Sequence, residues 1–388
     1  MATEPAAPVV IVGGGFGGLY TALALAEVRH HEPILLIEPQ ERFVFLPLLY
    51  ELLSHELRSW EVAPRYDAVL AGRGIAWLQD RVTAIDPDQR SLTTASGRRL
   101  SYSQAVIATG STTQTFGIPG ASEHCLAFRS LADVKRLQQL ITTLRQRRRP
   151  LQRLAVVGAG ASGVELACKL ADELDGSAVV ELLEQGPTVL PQARSFNREQ
   201  ALLALQRRDV RVRTATAVQA VGADHLSIGP AGETLPVDGT IWTAGIRAQP
   251  PALTAASDWG NGAGRGQLRC SADLRVIGAD HLFALGDVAQ VPDAAGHTLP
   301  CNAQVAFQQA TCLAANLRRA ASGEPLQPFS YNDLGEMMSL GRQEASITGG
   351  GLTLAGRAAY ELRRLAYLTR LPGRRHQVKV AAGWLTDW

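Results

Sequence analysis

The stretch VVIVGGGFGGLY, Val9 to Tyr20, decides the fold. Four β-branched residues in succession read as a short buried strand and the glycines as a tight turn. LYTALALAEV behind them reads as a helix whose alanines and leucines pack closely on a sheet. Gly13, Gly15 and Gly18 have the GxGxxG spacing, and the next apolar run, PILLIEP, carries Glu38 twenty residues beyond Gly18. At that distance an acid meets the ribose hydroxyls of a dinucleotide. Absent side chains let the backbone touch a pyrophosphate, and the helix start offers it free N–H groups and partial positive charge. The unit returns at RLAVVGAGASGVELACKLADEL, with Gly158, Gly160 and Gly163, and the strand AVVELLE ends at Glu184, 21 residues after Gly163. One GxGxxG is a weak signal. Strand, turn, helix and acid recurring together predict two dinucleotide sites, one for a resident cofactor and one for a visiting one.

The 388 residues, 46% of them apolar, suffice for two or three domains. With 38 basic against 36 acidic residues, no global field recruits nucleic acid, and RQRRRP (145–150) reads as a solvated helix end. Cys125, Cys168, Cys270, Cys301 and Cys312 form no CxxC pair and no metal-ligand spacing, so buried reduced thiols and no metal site are expected. The opening MATEPAAP lacks the basic start and apolar run of a secretory signal, and no uncharged apolar run approaches the ~18 residues of a spanning helix. Any membrane contact is therefore expected to be peripheral.

Two short runs, AVIATGS (105–111, with Ala108, Thr109 and Gly110) and GTIWTAGI (239–246, with Ala244 and Gly245), read as strands ending in chain crossings. HLFALGDVA places Gly286 and Asp287 after another apolar strand. A carboxylate there either accepts hydrogen bonds from a chain of hydroxyls or simply closes a turn. PCNAQVAFQQATCLAANLRR predicts a helix that opens near Asn302 and Ala303 and closes on two arginines. On it Gln304 and Gln308 share a face, with Gln309 beside them, as amides for carbonyl oxygens or as a solvated polar stripe. Glu165 stands one turn before Lys169 on the second glycine helix, which by itself suggests a helix-face ion pair.

Taken in order, GxGxxG, ATG, GxGxxG and GD resemble the two-dinucleotide flavoproteins over roughly residues 9 to 320. NAQVAFQQ resembles the AQxAxQQ signature of type II NAD(P)H:quinone oxidoreductases through Ala303, Gln304, Ala306, Gln308 and Gln309. FLPLLYELLSHEL, WEVAPRY and the tail from Leu334 are similar to one branch, the demethylphylloquinone reductases of cyanobacteria and plastids. The resemblance implies an α/β fold of the FAD/NAD(P)-linked reductase type: two Rossmann-like dinucleotide-binding domains with a small C-terminal membrane-associating segment. Its divisions would be 1–118 and 265–325 for FAD, 119–264 for NAD(P)H, and 326–388 for the membrane surface or a dimer contact. FAD would lie along Gly13, Gly15, Phe16, Gly17, Gly18, Glu38, Arg42, Val82, Ala108, Thr109, Gly110, Gly286, Asp287 and Ala303, with Lys379 as a nearby basic residue. NADH or NADPH would lie along Gly158, Gly160, Ala161, Ser162, Gly163, Glu165, Glu184, Ala244 and Gly245. Quinone would meet Ala303, Gln304, Gln308 and Gln309, with Glu165, Gln304 and Gln308 catalytic.

What the resemblance implies is a hydride relay from NAD(P)H to FAD and a two-electron transfer to a membrane quinone, a naphthoquinone such as demethylphylloquinone. No cysteine pair is present to relay electrons and no cysteine follows Cys312, so the flavin would serve its acceptor directly. The alternative acceptor is an iron–sulfur protein served by a soluble reductase. Glu184 favours NADH electrostatically, whereas the branch is associated with NADPH, so either nucleotide is expected.

Winding 357–371 at 100° per residue puts Ala358, Leu362, Leu365 and Ala366 on one stripe and Tyr360, Tyr367, Leu368 and Leu371 on another. One stripe suits the protein body. The other suits lipid, with Arg363, Arg364, Arg370, Arg374 and Arg375 at anionic headgroups and Trp384 and Trp388 at the interface, or else a second copy of the chain. The expected location is the cytoplasmic side of a membrane, plasma or thylakoid in a cyanobacterium.

Overall fold

The computed structural model describes residues 7–28, 32–147, 149–254 and 266–386; Trp388 lies outside them. The chain forms two compact units, each assembled from separated segments: Met1–Phe43, Ala63–Thr112 and Ile246–Asn332 in the first, Val44–Val62, Thr113–Gly245 and Asp333–Trp388 in the second.

In the first unit, VVIV forms the strand Val9–Val12 at the centre of a five-stranded parallel sheet. It pairs on one side with Ile34–Ile37 and on the other with Gln104–Ile107; Ile75–Leu78 and Leu282–Ala284 lie outside these. Strands buried on both faces read as unbroken apolar runs, which is why ILLI and QAVI carry almost no polar residue. The helix Phe16–Glu27 packs along the helix Ala303–Ala321, whose start is capped by the Asn302 side chain accepting from the Val305 N–H at 2.8 Å.

The second unit repeats the plan. Arg153–Val157 lies between Val179–Leu183 and Gly239–Trp242, with Arg211–Arg213 and Cys125–Leu126 at the edges, all parallel. The helix Ala161–Leu174 follows the central strand, and Val156, Val164, Ala167, Leu170 and Ile241 form part of its core. Asp333 onward adds the three-stranded antiparallel sheet Glu336–Ser339, Ala345–Gly349 and Leu352–Gly356, then the helices Arg357–Leu368 and Arg374–Thr386.

The sequence division and the units differ at several stretches. Residues 44–62 and 113–118, expected with the first domain, and the tail from Asp333, expected as a separate segment, belong to the second unit, whereas 246–254, expected with the second domain, and 326–332, expected with the tail, belong to the first. Leu49, Tyr50 and Leu53 are buried in the second unit's core, and Glu51 is ion-paired with Arg363 of the tail. The thiols also divide: Cys168 and Cys270 are buried, whereas Cys125, Cys301 and Cys312 are half-buried, and none of the five is in a disulfide.

Candidate functional site

The three glycines of each turn do three different things, and the two turns agree at every position. Gly13 and Gly158 have φ of +98° and +102°, and a Cβ there would press on the Ala108 carbonyl at 2.5 Å or on Ala244 Cα at 2.8 Å. A Cβ at Gly18 or Gly163 would overlap the carbonyl oxygen of Gly13 or Gly158, so the helix sits on its strand only because that atom is missing. Gly15 and Gly160 differ from these. Their φ values, −70° and −71°, suit any residue, and a Cβ would meet no atom within 4 Å. Neither backbone nor packing demands glycine there. What glycine leaves clear is the approach to a helix N-terminus, where a pyrophosphate is held.

The acids behave alike as well. Glu38 accepts from the N–H groups of Gly14 and Gln40, each at 2.8 Å, and burial raises its proton affinity against those two bonds. Glu184 accepts from Ala159 N–H at 2.8 Å and Gly186 N–H at 2.7 Å. Each acid therefore braces its own glycine turn. Sequence reasoning missed the side chains that complete this bracing. The Tyr66 hydroxyl donates to the Gly14 carbonyl at 2.7 Å, Trp77 donates to the Glu38 carbonyl at 3.2 Å, and the Thr243 hydroxyl reaches the carbonyls of Val157 and Gly158. Tyr66 lies in WEVAPRY, but no spacing rule ties it to a turn 52 residues away.

Ala108, Thr109 and Gly110 follow the strand Gln104–Ile107, and Ala108 donates to the Val12 carbonyl at 2.8 Å. The strand Gly239–Trp242 ends in the same manner, with Thr243 N–H donating to the Val157 carbonyl at 2.9 Å just before Ala244 and Gly245. Gly17 packs on Leu285, immediately before Gly286. Asp287 accepts from the Ser111 hydroxyl at 2.6 Å, and its carbonyl accepts from Gln267 at 3.1 Å. Phe16 stands edge-on to Phe43 at 5.3 Å, Arg42 donates to the Ala63 carbonyl at 2.9 Å, and Val82 starts a strand, buried. Ala161 and Ser162 occupy the exposed first turn of the second glycine helix. Lys379 belongs to the second unit, exposed, with its ammonium 4.8 Å from the Trp60 ring centre.

The glutamines of the helix Ala303–Ala321 are engaged within the first unit. Gln304 accepts from the Tyr331 hydroxyl at 3.0 Å, Gln308 makes a two-way bond with the backbone of Asn332 at 2.8 and 3.0 Å, and Gln309 accepts from Gly286 N–H at 2.8 Å. Neither a solvated stripe nor a row of unengaged amides describes them.

Glu165 is buried in the second unit and does not pair with Lys169, which bonds to Glu56 instead. Its Oε1 accepts from Ser339 N–H at 2.7 Å, and the Tyr50 hydroxyl donates to it while accepting from Ser162. Burial pushes its proton affinity up to about 7, against the pull of Arg363. Two expectations for the tail are overturned nearby. Arg363 faces no headgroup: it is fully buried, with Nη1 2.5 Å from Glu51 and Nη2 donating to the Pro47 carbonyl at 2.6 Å. Trp384 is buried too and donates to Glu61 at 2.8 Å.

Residues 7–310 match the family model described as pyridine nucleotide-disulphide oxidoreductase. The demethylphylloquinone reductase NdbB of Synechocystis sp. is 39% identical, with 100% of this chain and 98% of that protein aligned. The chain belongs to the type II NAD(P)H:quinone oxidoreductases. A second member, the alternative NAD(P)H-ubiquinone oxidoreductase C1 of Arabidopsis thaliana, is 36% identical over 97% of this chain and 80% of its own length. Among solved structures, NDH2 from Plasmodium falciparum with NADH superposes with a TM-score of 0.85 at 18% identity, covering 98% of both chains, and so shares the fold. As a type II oxidoreductase the chain works with FAD and with NADH or NADPH. The open approach at Gly15 and Gly160 fits one dinucleotide on each turn. No helix among the described residues is long and apolar enough to cross a membrane.

Proposed function

We propose that this oxidoreductase holds FAD on the first glycine turn, takes NADH or NADPH on the second, and reduces a membrane naphthoquinone such as demethylphylloquinone. The observation that carries the reading is the duplicated cradle: in both units the central glycine is required by nothing in the chain itself. Gly13, Gly15 and Gly18 with Glu38 would hold the adenine half of FAD, and Asp287, fixed by Ser111 and Gln267, its ribityl hydroxyls. Gly158, Gly160 and Gly163 with Glu184 would hold the nicotinamide nucleotide. FAD, when bound, accepts a hydride from the nicotinamide and passes two electrons on to the quinone. The positive end of the helix Ala303–Ala321 favours negative charge beside it. Glu165, which holds a proton near neutral pH, can supply one to quinone oxygen. The naphthoquinone is supported by the whole-length similarity to NdbB, which carries that substrate in its name.

We place the enzyme on the cytoplasmic face of a membrane, plasma or thylakoid in a cyanobacterium. Its exposed tail leucines would lie toward lipid. The test is anaerobic: reduce the yellow purified protein with either nucleotide, then mix it with naphthoquinones, benzoquinones and a ferredoxin. Fast reoxidation by naphthoquinones is expected. A colourless protein that refuses FAD, or reoxidation by the iron–sulfur protein alone, overturns the reading. Glu184→Gln should shift the ratio of kcat/KM values toward NADPH, because the carboxylate repels the extra phosphate.

A further inference from the structure

Four charged side chains lie side by side in the second unit with almost no exposure between them: Glu51, Lys169, Arg363 and Glu165. Glu51 Oε1 is 2.5 Å from Arg363 Nη1 and 4.0 Å from Lys169 Nζ, and it also accepts from the Ser339 hydroxyl at 3.1 Å. Lys169 is bonded to Glu56. Arg363 Nη2 stands 3.9 Å from Glu165 Oε1. Two cations thus face two directly paired carboxylates, Arg363 with Glu51 and Lys169 with Glu56, and the charges balance before Glu165 is counted. An ionised Glu165 would be a third buried carboxylate with only a share of a cation already committed elsewhere. Unpaired buried charge is costly, and a group in that position keeps its proton instead.

We propose that Glu51 and Arg363 are positioning residues that set the protonation of Glu165, by dividing one guanidinium between two carboxyls so that Glu165 is the member that carries and exchanges a proton. The proposal deepens the reading of Glu165 as proton source for quinone and rests on it for its role in turnover. The groups facing Glu165 are Tyr50 and Glu51 from the helix Leu49–Leu53, Arg363 and Tyr367 from Arg357–Leu368, the Ser339 amide, and Cys168 on its own helix. Burial, chiefly, pushes Glu165 up to about 7; Arg363 and the Ser339 amide oppose it and Glu51 reinforces it. Burial also opposes the Glu51 charge, but Arg363 and Lys169 together hold that carboxyl below its ordinary value. The same arginine therefore ionises one neighbour and leaves the other protonated.

The arrangement predicts opposite shifts from two variants. In Glu51→Gln the guanidinium loses its first partner and turns to Glu165, whose titration should fall by about one pH unit or more. In Glu51→Gln/Arg363→Met both charges of the pair are gone, Glu165 loses its nearest cation, and its titration should rise by about as much. The readout on the FAD-loaded protein is the infrared C=O stretch of a protonated carboxyl, assigned to Glu165 by its loss in Glu165→Gln and followed with pH. A midpoint near 7 in the wild type that moves down in the first variant and up in the second bears the proposal out. A midpoint unmoved in Glu51→Gln, which is isosteric and should fold, overturns it whether or not the double variant folds. The pH limb of reoxidation by a water-soluble naphthoquinone is measured alongside. If the infrared midpoints move and that limb does not, the role of Glu165 in quinone reduction fails while the control by Glu51 and Arg363 stands.

Discussion

Gln309 shows what one side chain of the AQxAxQQ motif does inside the fold. It is 1% exposed, and its Oε1 accepts from the N–H of Gly286, the residue whose φ of +73° turns the chain into Asp287. Gln309→Ala would leave that buried N–H without a partner and loosen the turn, a cost of about 1 to 3 kcal/mol. If Asp287 holds the ribityl chain, that cost appears as weaker flavin retention. FAD titration of the apoprotein should show affinity falling by roughly 10-fold or more, with KM for quinone unchanged. Gln309→Glu, which keeps the acceptor, should restore much of the affinity. A raised quinone KM with normal flavin retention would instead make Gln309 a quinone contact, as the motif resemblance implies. The contrast with the glycines is instructive. Gly13, Gly15, Gly18 and Glu38 were legible because a short turn dictates their spacing. The partners of Gln304, Gln308 and Gln309 were not, because a sequence displays amide groups without the backbone atoms they meet.

At the scale of elements, the helix Arg357–Leu368 divides as its periodicity demands. Tyr360 and Tyr367 are buried, followed by Leu371 beyond the helix end, while Ala358, Leu362 and Leu365 on the other stripe are exposed, Leu365 by 56%. Winding told which residues share a face. It could not tell that Arg363 would find Glu51, 312 positions earlier in the chain, nor that Trp384 would find Glu61. Those partners come from the segment 44–62, whose assignment to the second unit no local pattern announces. The helix Arg374–Thr386 adds Val378 and Leu385, 69% and 79% exposed, beside exposed Arg374 and Arg375. If these apolar side chains enter a lipid surface, each leucine contributes about 1.5 kcal/mol or more on burial. Leu362→Ser/Leu365→Ser should then lower partition onto anionic vesicles by roughly 100-fold, measured by flotation, and leave turnover with a water-soluble quinone unchanged. Unaltered flotation would remove this face from the membrane contact.

At the scale of the molecule, one strand-turn-helix plan serves twice, and the parallel sheets follow from it: each glycine strand is central, flanked by the strand bearing its acid and by the strand that returns after a long excursion. The acid strand is near in sequence and was read directly. The interleaving of segments was legible only in outline: of the five passages between units, the two that bracket 44–62 are set by burial and charge pairing rather than by any turn signal. One consequence can be measured on the whole protein. Glu165, 8% exposed, holds its proton up to about 7 when folded against an ordinary value of 4.5. Between those values the folded state binds more protons than the unfolded one, so this group's contribution to stability falls as pH rises through that window and is constant below it. At 1.36 kcal/mol per unit the difference amounts to about 3 kcal/mol. Glu165→Gln cannot ionise, so the variant should gain stability relative to wild type by up to about 3 kcal/mol between pH 4.5 and 7.5. Urea unfolding of both FAD-loaded proteins at the two pH values measures it, with the subtraction removing every other titrating group. A difference that stays constant, or that favours the wild type as pH rises, would mean Glu165 is ionised in the folded chain, and its buried surroundings would need a cation beyond Arg363 to balance it.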